Sequence, residues 1–213
     1  EYSEPKLHKE KVAVKTHFIL EVKNNSFPVV LITERSSSPN MMFEDYQRYI
    51  VTPPFGGEAA HFYNQIDLYQ EKKWENLKIY SQYCSFTLKK SKKELMAFHP
   101  DEFHDSFLKM IEYINAEVSR WDDPDDDKYW RLFFYQPILV IKNDLMILKE
   151  NQNGEYDLQP VNQAKLEFNY FQDDTPTSIL IDIVTEEALL ELLYREIELD
   201  NIIESKIVSL KKP

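Results

Sequence analysis

Val12-Ala13-Val14-Lys15-Thr16-His17-Phe18-Ile19-Leu20-Glu21-Val22-Lys23 is an apolar, β-prone run that closes on a carboxylate and an ammonium two residues apart. Side chains two apart on a strand share a face. The reading therefore sets Glu21 and Lys23 side by side and sends Val22 the other way, into the core. A charged pair on an otherwise buried strand is costly unless it is paired or bound to something. Phosphodiester hydrolysis uses such a pair. The carboxylate holds a divalent cation, and the lysine orients or deprotonates the attacking water or offsets developing charge. The same three residues also occur as a solvated cross-charge pair on exposed strands. Context favours the chemical reading here. The pair ends a hydrophobic run, Asn24-Asn25-Ser26 follows as a turn, and Phe27-Pro28-Val29-Val30-Leu31-Ile32-Thr33 reads as a second strand paired with the first.

Working outward, Glu34 to Asn40 is a loop by its Ser, Pro and Asn content, and Met41 to Ile50 reads as a short helix or irregular. Thr52-Pro53-Pro54-Phe55-Gly56-Gly57 is a break, and Ala59 to Leu68 has some helical pattern. Asn76 to Leu88 alternates like a strand, with Tyr80, Gln82, Cys84 and Phe86 on one face. His99-Pro100-Asp101 opens a helix that should run to about Arg120. Proline suits its first turn, Asp101 and Glu102 favour its positive end, and Phe103, Phe107, Met110, Ile111, Ile114 and Val118 make its apolar face. Trp121 to Asp127 is an acidic loop. It lacks the glycine and terminal glutamate of a calcium loop and reads as a solvated linker.

The second half reads as a meander of strands over Trp130 to Ile141, Leu145 to Lys149, Ala164 to Phe171 and Ser178 to Val184. Thr185 then caps a long final helix. Its apolar stripe is Leu189, Leu192, Leu193, Ile197, Ile203 and Ile207, with Lys211-Lys212 at its negative end. The fold class is a mixed α/β (α+β) sheet flanked by helices.

Composition limits the function classes. Hydrophobic residues make up 43% of the 213, which excludes a disordered chain. Cys84 is the sole cysteine, so an internal disulfide framework and a Cys-rich zinc site are excluded and a reducing cytoplasm is expected. No apolar run approaches a membrane span of about 20 residues. The formal net charge of −12 opposes broad electrostatic capture of nucleic acid. Lys72-Lys73, Lys78 and Lys89-Lys90-Ser91-Lys92-Lys93 are the concentrated positive region, readable as a local groove or as a solvated loop leading into the helix. His61, His99 and His104 lack metal spacing within one element; capping or surface roles suit them. The run Tyr129 to Tyr135 can stack bases but also suits a sheet core beside an oligomer interface.

Phe18-Ile19-Leu20-Glu21-Val22-Lys23, followed by Pro28-Val29-Val30-Leu31, resembles the second catalytic strand of the PD-(D/E)xK, or restriction-endonuclease-like, nucleases. Gln136 to Ile141 with Ile181-Asp182-Ile183-Val184-Thr185 resembles the back half of uncharacterised bacterial members of that group. The resemblance implies a restriction-endonuclease-like core and a Mg²⁺ or Mn²⁺ ion held by Glu21 and the Val22 carbonyl. It implies Lys23 as a catalytic residue and Gln82 as a further residue touching metal-bound water or DNA. The superfamily also carries an aspartate on the strand before Glu-x-Lys. Residues 1–20 hold no Asp, only Glu1, Glu4 and Glu10. With no initial Met and no leading helix, the expectation is one domain over residues 1–213 that lacks its start, with the aspartate upstream.

Two functions follow. One is a metal-dependent nuclease acting on DNA ahead of RNA, in phage defence or DNA processing, with a protein partner or a second copy delivering substrate. The other is a non-catalytic interaction or scaffold subunit built on the same fold.

Overall fold

The computed structural model describes residues 12–35, 49–51, 78–89, 94–119 and 130–210. The strands are β1 (Val12–Lys23), β2 (Val29–Arg35), β3 (Tyr49–Val51), β4 (Ile79–Lys89), β5 (Glu94–Phe98), β6 (Trp130–Ile141), β7 (Leu145–Glu150), β8 (Tyr156–Val161), β9 (Gln163–Gln172) and β10 (Thr175–Thr185). Among the described residues two α-helices accompany them, α1 (Asp101–Ser119) and α2 (Leu189–Leu210). The class is mixed α/β, as expected. The loop at 36–40, the segments around Thr52–Gly57 and Ala59–Leu68 with His61, Lys72-Lys73, Lys90–Lys93, the acidic loop to Asp127, Tyr129 and Lys211-Lys212 lie outside the described residues.

The ten strands form one mixed sheet in the order β1-β6-β10-β9-β4-β2-β7-β8, with β3 on β6 and β5 on β4. β1, β6 and β10 run parallel, and so do β2 and β7. This corrects the expected β1–β2 pairing. A short turn made adjacency in sequence look like a hairpin, but the chain bends at residues 24–28 and carries on in the same direction. β6 and β7 bend beside it at residues 142–144. β1 thus pairs with β6 and β2 with β7, while hydrogen bonds lead the other way round through β6, β10, β9, β4 and β2. A ladder that closes in this way must curl, as twisted sheets do.

Asn25 joins the two bends. It is buried, and its Oδ1 accepts the backbone N–H groups of Lys142 and Asn143 at 3.1 and 3.2 Å. Its Nδ2 donates to the Phe27 carbonyl at 2.7 Å, and the Asn143 side chain donates to the Asn25 carbonyl. Asn25→Ala removes the side chain that ties the two bends together, while the Lys142 N–H keeps the Lys23 carbonyl. It is expected to cost about 2 kcal/mol in a urea melt, with Asn25→Asp recovering part of the loss because it keeps the acceptor.

The main core lies inside the curl. Val29, Leu31, Leu139, Ile141, Leu145, Leu166, Ile181 and Ile183 of the strands pack on Phe103, Phe107, Met110, Ile111 and Ile114 of α1. The helix forms as expected, with Asp101 and Glu102 in its first turn. α2 covers the opposite face, where Leu192 packs on Ile138, Val140 and Val184 with Phe18 alongside. Among the described residues no helix is long and apolar enough to cross a membrane.

Three further expectations change. A 3-10 turn, Glu186–Ala188, precedes α2, and Thr185 makes no side-chain cap bond; its hydroxyl faces the Asn162 carbonyl instead. The buried face of α2 is Leu192, Glu196, Leu199 and Ile203, while Ile197 is exposed. β5 stands between the lysine run and α1, and β8 was not expected because its side chains are almost all exposed. An edge strand of that kind carries no alternation to read and tolerates Pro160.

Candidate active site at the carboxyl end of three parallel strands

Glu21 and Lys23 lie where β1, β6 and β10 end together: Glu21 stands opposite Leu139, Lys23 opposite Ile141, and Ile141 opposite Thr185. Ligands commonly gather at the carboxyl ends of parallel strands. The alternation of β1 decides what faces what. Ile19 packs against the core beside α1, so Glu21 and Lys23 face α1. Thr16 and Phe18 face α2, through two hydrogen bonds from Thr16 to Asp200 and through Phe18 against the cluster that Leu192 forms with Ile138, Val140 and Val184.

The pair forms as expected. Lys23 Nζ is 3.2 Å from Glu21 Oε1, with side chains 22% and 33% exposed, so both are sheltered and still reachable. Ser106 of α1 lies 3.1 Å from the same oxygen and 2.9 Å from the Glu102 carbonyl, so its one hydroxyl proton serves two acceptors. Both contacts fall on Oε1, which leaves Oε2 without a partner among the described residues.

Val22 departs from expectation. Its side chain is 70% exposed and not in the core. The physical reason is that the start of α2 lies over β6 and β10, where Leu192 packs on Ile138, Val140 and Val184, and the helix meets β1 at Thr16 through Asp200, leaving Leu20 and Val22 uncovered. Its carbonyl is a separate matter. The Lys23 carbonyl accepts the Lys142 N–H across β6, and carbonyls alternate along a strand. The Val22 carbonyl therefore points away from β6, to an edge of β1 with no strand partner among the described residues.

A divalent cation fits these donors in a limited way. Mg²⁺ takes oxygen ligands, keeps several waters and is commonly held by one or two carboxylates plus substrate phosphates. Glu21 Oε2 and the Val22 carbonyl supply two such oxygens. Among the described residues no group of three or more His, Cys, Asp or Glu side chains gathers into a metal cluster. The structure sets Gln82 elsewhere. It lies opposite Ile32 in the β2–β4 pair and accepts a hydrogen bond from Thr33 at 3.0 Å. His99 and His104 line the same cavity as Gln82.

A second charged constellation escaped the sequence reading. Asp182 of β10 and Lys165 of β9 stand opposite each other, 1% and 6% exposed. Lys165 Nζ reaches both Asp182 oxygens at 2.9 and 2.8 Å. Gln136 and Gln163 donate to the same carboxylate at 2.8 and 3.1 Å. Burial alone would push the Asp182 carboxyl up. The Lys165 charge and the three side-chain donors outweigh it and hold the group below its ordinary value. Four donor contacts and no exposed oxygen make this a closed structural pair. Its signal was a lone Asp within Ile181-Asp182-Ile183 opposite a lone Lys within Ala164-Lys165-Leu166.

The chain matches no family model, no curated protein and no solved structure.

Proposed function

We propose that Glu21 and Lys23 are the catalytic pair of a divalent-metal-dependent nuclease of PD-(D/E)xK type, cleaving phosphodiester bonds in DNA ahead of RNA. The observation that carries this reading is the 3.2 Å carboxylate–ammonium pair at the carboxyl end of β1, partly open to solvent. Glu21 Oε2 and the Val22 carbonyl would hold Mg²⁺ or Mn²⁺. Bound there, the cation would supply Lewis acidity, activating a coordinated water and polarising the phosphoryl oxygen. Lys23 stands beside that position as a fixed positive charge, able to orient the attacking water and to offset charge on the phosphorane-like transition state. Ser106 fixes the Glu21 rotamer by holding Oε1 toward α1.

Two observations favour the second reading, a non-catalytic interaction subunit. Glu21 has no clustered carboxylate among the described residues, and the chain carries a formal charge of −12. Titration of Mn²⁺ into wild type and Glu21→Gln, followed by the loss of the free-ion paramagnetic resonance signal, separates the two. The nuclease reading predicts binding weakened about tenfold or more by Glu21→Gln, since a carboxylate is the one charged ligand supplied. Equal binding by both proteins removes Glu21 as a ligand and moves the assignment to the scaffold.

A further inference from the structure

Gln82, His99 and His104, which the Glu21–Lys23 pair does not use, meet in one cavity of about 380 Å³ together with Tyr83, Phe168 and Asn169. That volume lies within the usual range of small-molecule sites, about 300–1,000 Å³. Its apolar wall is a band of rings. Tyr83 lies 4.5 Å from His99, His99 6.3 Å from His104, and His104 5.1 Å from Phe168, centroid to centroid. The Tyr83 hydroxyl is shut off from solvent with no hydrogen-bond partner among the described residues.

The polar rim is held in one orientation. The Thr33 hydroxyl donates to the Gln82 side-chain oxygen at 3.0 Å, which leaves the Gln82 amide N–H groups for a ligand. Thr33 itself sits at φ 61, and its carbonyl accepts the Ser81 hydroxyl at 3.4 Å. A β-branched residue in the left-handed region costs of order 1–3 kcal/mol and tends to mark ligand sites. Asn169, exposed on β9, adds a second amide.

Charge narrows the ligand class. The one carboxylate in the lining, Glu167, is ion-paired with Arg35, and no lysine or arginine lines the cavity among the described residues. An anion finds no lysine or arginine there, and a cation finds the lining carboxylate already paired with Arg35. A flat, uncharged ring with donors and acceptors on its edge matches both the ring wall and the amide rim.

We infer that this cavity, which opens where the β4–β9 pairing stops at Tyr80 and Leu166, takes an unpaired nucleobase, stacked on the exposed His104 ring, with Gln82 and Asn169 meeting its edge. Asn and Gln amides read base edges in pairs of donor and acceptor, and unstacked bases settle on aromatic and histidine rings. The inference stands on this cavity alone and is independent of cleavage at Glu21.

The test uses the full chain without divalent metal. Adenosine, guanosine, cytidine, uridine, inorganic phosphate and ribose are each titrated and followed by NMR of the side-chain amide and imidazole signals. At least one nucleoside should bind and shift the Gln82, Asn169 and His104 signals, while phosphate and ribose do not. Gln82→Ala and His104→Ala should each weaken that nucleoside about tenfold, and His104→Phe, which keeps a stacking ring, should retain most of the binding. Thermal melts identify any variant that has lost its fold, and Glu21→Gln should bind the nucleoside like wild type. A single-stranded trinucleotide binding more tightly than the nucleoside assigns the base to a strand; the reverse assigns a free nucleoside. No binding by any nucleoside, binding indifferent to both Gln82 and His104, or phosphate binding as well as the nucleosides would overturn the inference.

Discussion

Lys23→Ala should abolish strand cleavage while the protein melts almost where the wild type does. A fixed charge that acts only on the reacting phosphate is lost from the transition state, and a loss of about 4 kcal/mol lowers the rate about a thousandfold. The ion pair with Glu21 is partly solvated. Pairs of that kind contribute at most about 1 kcal/mol to folding. The two quantities therefore separate: cleavage falls by orders of magnitude, and the unfolding midpoint shifts by a few degrees at most. If the pair were structural, stability would fall and any activity would fall only in proportion. The paired measurement is initial cleavage rate and thermal midpoint on the same preparations.

Lys165→Met should be the most destabilising single change outside the apolar core. It strands the Asp182 carboxylate at 1% exposure, and removing one partner of a buried pair costs about 3–5 kcal/mol. Against a typical total of about 5–15 kcal/mol this is a large share. The double substitution Lys165→Met with Asp182→Asn should regain most of the loss, because the buried charge goes with its partner. Urea melts of the two single variants and the double give the coupling. The pH dependence has a definite sign. Asp182 is held below the ordinary carboxyl value, so its contribution is complete above the unfolded value of about 3.9 and fades as pH falls through its folded pKa. The stability gap between wild type and Asp182→Asn should be level at neutral pH and close in acid.

What the sequence made legible was local. The 3.6-residue period of Phe103, Phe107, Met110, Ile111 and Ile114 identified α1 and its buried face, and the apolar runs marked β1, β4, β6, β9 and β10. The side-by-side setting of Glu21 and Lys23 needed only the two-residue period of a strand. What failed was long-range. Nothing in Asn24-Asn25-Ser26 distinguishes a hairpin turn from a bend that continues in the same direction, because the deciding bonds come from Lys142 and Asn143, more than a hundred residues on. Val22 was misplaced for a related reason: its burial depends on where α2 begins, a tertiary fact. Ile197 looked buried on an apolar stripe, yet Glu196 takes the inner position. The Asp182–Lys165 pair was hidden because each residue alone resembles a surface charge until the β9–β10 register sets them opposite.

The most direct measurement is cleavage by the full chain of plasmid, single-stranded DNA and single-stranded RNA, in Mg²⁺ or Mn²⁺ and again in EDTA, with Glu21→Gln run alongside. Metal-dependent cleavage of at least one substrate is expected, DNA ahead of RNA, lost in EDTA and in Glu21→Gln. Cleavage by Glu21→Gln at the wild-type rate, or no cleavage of any substrate by the wild type in either metal, would contradict it.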